Sequence, residues 1–282
     1  MAKVRFVGGP GTTVVVTGGS SGIGLACAVE YVRAGSDVVI VGRSVEKLDA
    51  ATAVLEAEAR HGACVSSISV DLSDRDATEA AFDHIESMGR FPDLLINSAG
   101  VINSGEFTAM TPDFFSDNFD HGFWTVVNPC RTVAKKMIDR GSGYIANVSS
   151  VAGFLGVYGY TGYAAAKYAT MGFTESLRCE LAPDGVGVSV ICPPDTDTPG
   201  YVREKSMRTI ETEVLAGNIK PVSADVIARA VVKGVSSGRY LIIPGALSKF
   251  YFRLKGLLPE LAFAIVDGQV RGARRLRAEA GR

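Results

Sequence analysis

Apolar positions along the chain follow two alternating rhythms. Short runs rich in β-branched residues occur at Thr13–Thr17, Asp37–Val41, Val65–Val70, Leu94–Asn97, Tyr144–Val148, Val186–Cys192 and Tyr240–Ile243. Between them, longer stretches repeat their apolar positions at helical spacing: Ile23–Ala34, Val45–His61, Arg75–Met88, Phe114–Asp139, Ala164–Leu181 and Ala224–Ser236. β-Branched runs separated by helices predict an α/β fold, a parallel sheet of about seven strands with helices on both faces. No internal repeat, low-complexity linker or composition break divides the chain, so 1–245 reads as one domain. Asp195–Pro221 is the longest stretch without clear strand character. It follows the carboxyl end of a strand, where ligands bind in such sheets, and is expected to form a mobile substrate lid over 195–221.

The first strand runs straight into Thr17-Gly-Gly-Ser-Ser-Gly-Ile-Gly24, which opens the first helix. A strand that passes through a tight glycine turn into a helix brings unpaired backbone N–H groups and the positive helix end to one point. A nucleotide pyrophosphate fits there, provided no side chain keeps it away. The spacing departs from the plain Gly-x-Gly-x-x-Gly fingerprint, because Gly18 is followed by three residues, Gly22, Ile23 and Gly24. With its strand before and helix after, the turn predicts a doubly wound Rossmann domain that holds a dinucleotide.

Composition narrows the class. The chain has 282 residues, enough for one large domain with a substantial core, and a formal net charge of −1, so no global field recruits nucleic acid. Five cysteines, at 27, 64, 130, 179 and 192, are odd in number and form no Cys-x-x-Cys pair. They read as buried thiols of a reduced, cytoplasmic chain. The three histidines at 61, 84 and 121 lack metal-ligand spacing, so no metal is expected. Met1–Thr12 has no apolar signal-peptide core, and no window reaches the roughly 18 apolar residues of a membrane span.

The second strand bears on which nicotinamide cofactor binds. An NAD site places an acidic residue at that strand's end, about 20 residues after the turn. Here the strand ends Val41-Gly42-Arg43-Ser44. A guanidinium suits the 2′-phosphate of NADP, with Lys47 one helical turn on adding charge. Asp71, at the end of the third strand, is positioned to accept from the adenine amino group. The chemistry is expected between 145 and 167. Tyr163 and Lys167 are four apart on a helix and project from one face. A neighbouring ammonium would lower the phenol's pKa, making it a competent acid for a ketone oxygen or a base in reverse. Ser150, at a strand's carboxyl end, offers a hydroxyl to the same oxygen.

These residues together resemble the short-chain dehydrogenases/reductases over roughly residues 13–245. The resemblance rests on Thr17–Gly24, on Asn97-Ser-Ala-Gly100 in place of the family's Asn-Asn-Ala-Gly, and on Ser150, Tyr163 and Lys167. It implies hydride transfer to or from nicotinamide C4, with Tyr163 as acid/base, Ser150 orienting the substrate oxygen, and Lys167 binding the nicotinamide ribose while tuning the tyrosine. Ser149 is the less favoured serine. The cofactor, NADPH or NADP+, would contact Gly18, Ser20, Ser21, Gly22, Ile23, Gly24, Arg43, Lys47, Asp71, Leu72, Asn97, Ala99, Gly100, Tyr163, Lys167, Pro193, Thr196 and Thr198. In this set Asn97 and Gly100 would support the central strand and the cofactor, and Thr198 would meet the nicotinamide carboxamide. The family also implies a homo-oligomer, dimer or tetramer.

Two segments set this chain apart. Where most members read Pro-Gly-x-Val-x-Thr, it reads Pro193-Pro-Asp-Thr-Asp-Thr-Pro-Gly200, which is similar to the 3-ketodihydrosphingosine reductases of sphingolipid metabolism. Gly42-Arg43 and the approach Phe154–Tyr163 also fit that group, which implies a long-chain 3-keto amino alcohol as substrate. Another hydrophobic ketone or secondary alcohol stays open, as does an NADP-binding sensor or structural protein with little turnover. The second departure lies in Gly122-Phe-Trp-Thr-Val-Val-Asn128, where many members place a catalytic asparagine at the position of Gly122. In the family this residue helps hold a water that relays protons to the lysine. Asn118, one turn earlier, is out of register. Gly122 would keep the relay through its own carbonyl.

Beyond 245, Leu247, Phe250, Tyr251, Leu254 and Leu258 form a helical apolar stripe interleaved with Lys249, Arg253 and Lys255. After Pro259, the apolar stretch Leu261–Val266 leads to Arg271, Arg274, Arg275 and Arg277. The extension 246–282 either lies in a membrane interface as a basic amphipathic element, at the cytoplasmic face, or packs on protein with a frayed basic end.

Overall fold

The computed structural model describes residues 3–217 and 220–280; residues 218 and 219 of the expected lid, and 281–282 of the extension, lie outside the described residues. Among the described residues the chain order is β1 (Thr13–Thr17), α1 (Gly22–Arg33), β2 (Asp37–Gly42), α2 (Val45–Glu58), β3 (Val65–Ser69), α3 (Arg75–Ser87) and β4 (Leu94–Asn97). Then come α4 (Pro112–Phe119), a single π turn (Asp120–Trp124), α5 (Thr125–Arg140), β5 (Gly143–Val148), α6 (Thr161–Leu181) and β6 (Val186–Ile191). The last third holds β7 (Thr196–Asp197), α7 (Pro199–Lys205), α8 (Ile210–Ala216), β8 (Val222–Ser223), α9 (Ala224–Ser236), β9 (Leu241–Ile242), α10 (Ala246–Leu257) and α11 (Pro259–Ala280).

Seven of these strands pair in parallel in the order β3-β2-β1-β4-β5-β6-β9, with β7 and β8 as a separate parallel pair. The order reverses between β1 and β4, so the segments leaving their paired carboxyl ends pass to opposite faces of the sheet and leave a crevice at the switch point. Successive residues of β1 serve opposite cores, as its continuous apolar run requires. Val14 and Val16 pack with Tyr31 of α1, Leu48 of α2 and Val231 of α9. Val15 packs in the other core with Phe82 of α3, Val133 and Met137 of α5, and Leu181 of α6. The expected doubly wound architecture is the observed one.

Three expectations change. The single helix expected over Phe114–Asp139 is two helices joined by the π turn, which absorbs one extra residue in the helical ladder. The lid segment is not free of strand, since Thr196 and Asp197 pair with Val222 and Ser223, and it carries α7 and α8. Cys27, Cys130 and Cys192 are buried as expected, but Cys64 and Cys179 are exposed.

The extension forms two helices that return to the domain. α11 packs on α8, with Ala262 and Ala273 fully buried and Arg277 Nη1 reaching Glu106 (2.7 Å) and Glu211 (3.2 Å). Arg274 lies over the Tyr158 ring, so the basic end is not frayed through these residues. α10 attaches through Phe252, edge-on to Phe154, and through Lys255 Nζ, which donates to the Phe154 carbonyl at 2.7 Å. The expected apolar stripe does not make this contact. Its members Leu247, Phe250 and Leu258 are exposed, because the packed side of α10 runs along a different line.

Candidate active site

A cavity of about 820 Å³ opens at the carboxyl ends of the strands, and it gathers the expected residues from seven separate segments of chain. Gly18, Ser20, Ser21, Gly22, Ile23, Arg43, Lys47, Asp71, Leu72, Ala99, Gly100, Ser150, Tyr163, Lys167, Pro193, Thr196 and Thr198 all line it. Gly24 and Asn97 do not. Gly24 faces inward, where a Cβ would collide with the Gly18 carbonyl, so it lets α1 close onto the turn. Asn97 is fully buried behind the cavity and ties strands together: its Nδ2 donates to Asn147 Oδ1 at 2.9 Å, and Thr17 Oγ1 donates to its Oδ1. Thr17 Oγ1 in turn accepts from the Ser98 and Ala99 amides and fixes the β4 end beside the turn.

The turn has the properties of an anion cradle. Gly18 sits at φ +65°, and a Cβ there would stand 2.7 Å from the Ala99 nitrogen, so both its conformation and its neighbour demand glycine. Ser21 is the N-cap of α1, yet its side chain makes no capping hydrogen bond. The first-turn amides and this hydroxyl are therefore available to an anion. Arg43 and Lys47 line the same end; Arg43 Nη1 is 4.0 Å from Asp71 Oδ2. Burial acts to raise the Asp71 pKa, but the Ser73 hydroxyl and amide, then His121 and Arg43, hold it below the usual carboxylate range. These residues fit a dinucleotide carrying a 2′-phosphate: a backbone cradle without Cβ atoms, followed by a half-exposed guanidinium.

At the other end, α6 presents Tyr163 and Lys167 one turn apart, with Lys167 Nζ 5.8 Å from the centre of the Tyr163 ring. Ser150 follows β5; its Oγ accepts from the Ala152 amide (3.1 Å) and hydrogen-bonds Tyr163. Ser149 Oγ instead donates to the Lys167 carbonyl at 2.9 Å, which occupies it structurally and leaves Ser150 facing the phenol. Lys167 Nζ donates to the Val148 carbonyl at 3.2 Å. Burial pushes the Tyr163 phenol up to about 12, against the Ser150 hydrogen bond and helped by Asp195 and Glu204. Burial likewise pulls the Lys167 ammonium down to about 8. The phenol is thus not lowered toward neutrality as expected, because desolvation by burial is the largest influence on it. A phenol that keeps its proton at neutral pH is a ready donor to a developing alkoxide.

Thr196 Oγ1 donates to the Pro194 carbonyl (2.7 Å), while Thr198 caps α7 by accepting from the Tyr201 amide (3.1 Å). Gly122 is buried in the π turn, and a Cβ there would meet Ala166 at an ordinary 3.5 Å. Asn118 is fully buried and structural: its Oδ1 accepts from the Asn103 amide and its Nδ2 donates to the Phe114 carbonyl.

The cavity also uses residues that the sequence did not single out. His121 lines it, with Nδ1 2.7 Å from Asp117 Oδ1 and Nε2 3.7 Å from Asp71. Tyr160, Asp195, Glu204 and Arg208 form a joined polar group on its wall. Only the Glu204–Arg208 spacing of four was a signal readable in sequence, although Arg208 lies just past the end of α7. Leu155, Val157, Leu215, Leu247, Tyr251 and Val266 add an apolar lining, partly from α8, α10 and α11.

The comparisons agree with this geometry. The short chain dehydrogenase family matches residues 12–209. A 3-ketodihydrosphingosine reductase of Bos taurus is 35% identical over 233 residues, 82% of this chain and 70% of the relative. One from Dictyostelium discoideum is 31% identical over 272 residues, 91% of this chain and 81% of the relative. Among solved structures, a short-chain dehydrogenase from Sphingobium yanoikuyae in complex with NADPH superposes with a TM-score of 0.76 at 27% identity, covering 89% of this chain and 94% of that one. The chain belongs to the short chain dehydrogenase family and is an oxidoreductase acting on the CH–OH/C=O pair.

Proposed function

We propose that the protein reduces a long-chain 3-keto sphingoid base, 3-ketodihydrosphingosine, to dihydrosphingosine with NADPH. The observation that carries this is one cavity that holds the glycine cradle with Arg43 at one end, Ser150 and Tyr163 at the other, and an apolar lining beyond. The name shared by relatives at 35% identity supplies the substrate class. NADPH would rest on Gly18–Ile23, Arg43 and Lys47, and when bound it supplies the hydride. Ser150 orients the ketone oxygen by hydrogen bonding, and Tyr163 gives that oxygen its proton. Lys167, beneath the tyrosine, holds the ribose and stabilises the phenolate left behind. Pro193, Thr196 and Thr198 border the nicotinamide end. The apolar wall from α8, α10 and α11 takes the alkyl chain and excludes water.

The segment 195–221 acts as the lid in this reading, and the extension lies against a lipid surface. Support for that contact comes from Phe250, Leu257, Leu258 and Leu261, exposed around the α10–α11 elbow beside exposed Lys249 and Arg253. No helix among the described residues is long and apolar enough to cross a membrane. Equal liposome co-sedimentation with and without 246–282 would remove the membrane contact. A dimer or tetramer belongs to the same proposal; exposed Trp124 and Phe107 offer apolar surface to a second copy, and light scattering reads the mass. The reaction is tested by NADPH consumption with 3-ketodihydrosphingosine against ketosteroids, 3-ketoacyl thioesters and sugars. Faster turnover of the sphingoid ketone is expected. Flat traces throughout, despite tight NADPH binding, would instead support a sensor without turnover.

A further inference from the structure

The substrate proposed above carries an amine on the carbon next to its ketone. Once the ketone oxygen is seated at Ser150 and Tyr163, that amine is within reach of the wall beside Tyr163, because a single carbon–carbon bond separates the two groups. The Tyr160 ring stands 5.7 Å from the Tyr163 ring, and the Tyr160 hydroxyl donates to Glu204. Glu204 takes Arg208 in a two-pronged pair, Nε at 2.8 and 2.9 Å from its two oxygens, and Arg208 Nη2 reaches Asp195 Oδ2 at 2.8 Å. Two carboxylates therefore share one guanidinium. The side chains of Glu204 and Arg208 are 1% and 2% exposed, against 44% for Asp195. All three charged residues line the cavity, and Asp195 is the one with an exposed side chain. Arg208 occupies Oδ2 of Asp195, and no other side-chain hydrogen bond reaches that carboxylate among the described residues. Arg203, the guanidinium on α7, is turned to Asn103 Oδ1 at 3.0 Å.

We infer that Asp195 is the specificity-determining counter-ion for an ammonium on the carbon adjacent to the reacting ketone. The inference rests on the sphingoid reading and deepens it: Glu204 and Arg208 hold the carboxylate in place, and Asp195 makes the pocket select α-amino ketones over plain ketones of equal chain length. An ammonium that meets this carboxylate replaces hydration it loses on entry, while a plain ketone leaves Asp195 with Arg208 alone as its partner.

The test uses the full chain with NADPH and two substrates, 3-ketodihydrosphingosine and the 1-hydroxy-3-ketone of the same length without the amine. Wild type is expected to favour the amino ketone in kcat/KM. Asp195→Asn should lower kcat/KM for the amino ketone at least about tenfold more than for the plain ketone, mainly through KM, since a hydrogen bond to a charged group is worth that much. Asp195→Glu should recover part of the preference. If Asp195→Asn does not fold, Asp195→Ser carries the same expectation. Equal losses on both ketones, or an unchanged preference, overturn the role of Asp195 while leaving the sphingoid reading standing. A wild-type preference for the plain ketone overturns both.

Discussion

Replacing Lys167 with methionine should stabilise the protein at neutral pH while destroying its turnover, and the gain should vanish in alkali. Lys167 is 5% exposed, and burial lowers its pKa from the ordinary 10.5 to about 8. At about 1.4 kcal/mol per pH unit, the folded state bears about 3 kcal/mol for holding this ammonium whenever the pH is well below 8. Between about 8 and 10.5 the unfolded chain binds the proton and the folded chain does not, so stability rises with pH across that window. Methionine has similar length and no charge, and it forgoes only the hydrogen bond to the Val148 carbonyl, whose loss does not vary with pH. The readout is therefore the difference between wild type and Lys167→Met in denaturant unfolding, measured at pH 7 and again at pH 10. Wild type should gain about 2.5 kcal/mol on the variant between the two. A gap that stays constant within about 0.5 kcal/mol would show that the lysine is not penalised by burial, and the reasoning from desolvation would fail.

Tyr163→Phe should lower single-turnover reduction about 10³-fold through loss of the proton donor, and a variant keeping a tenth of the rate would remove Tyr163 from that role. Gly122→Asn restores the residue type common in the family at a position with room for a Cβ, and turnover should change by no more than about threefold if the carbonyl serves the relay. A tenfold rise in kcat would show that the amide side chain matters. Arg208→Met strands buried Glu204 and its neighbour Asp195 without their cation, so unfolding free energy should fall by about 3–5 kcal/mol; a loss below about 1 kcal/mol would mean the pair contributes no net stability.

What the sequence showed and what it hid follow from the range of the interactions involved. The sheet was legible because its strands carry β-branched and aliphatic residues in short runs between helices, so local pattern sets β1 to β6 within a residue at each end. The cradle at Thr17–Gly24 and the Tyr163–Lys167 pair were legible for the same reason, since each lies on one short element. The π turn was invisible, because inserting one residue into a helical ladder changes its bonding without erasing the apolar period. β7 has two residues, too few to alternate. The tail showed a tidy stripe, yet α10 is held by Phe252 and Lys255 against Phe154, a partner about a hundred residues away. The Tyr163 pKa ran opposite to expectation because pairwise spacing reveals a neighbouring charge but not burial, the largest influence on the phenol. The polar wall around Asp195 is the extreme case. Tyr160 and Glu204 are 44 residues apart, and nothing near either one announces the other. The reacting centre could therefore be found from local chemistry, whereas the wall that would choose among ketones exists only once β6, α6 and α7 are brought together.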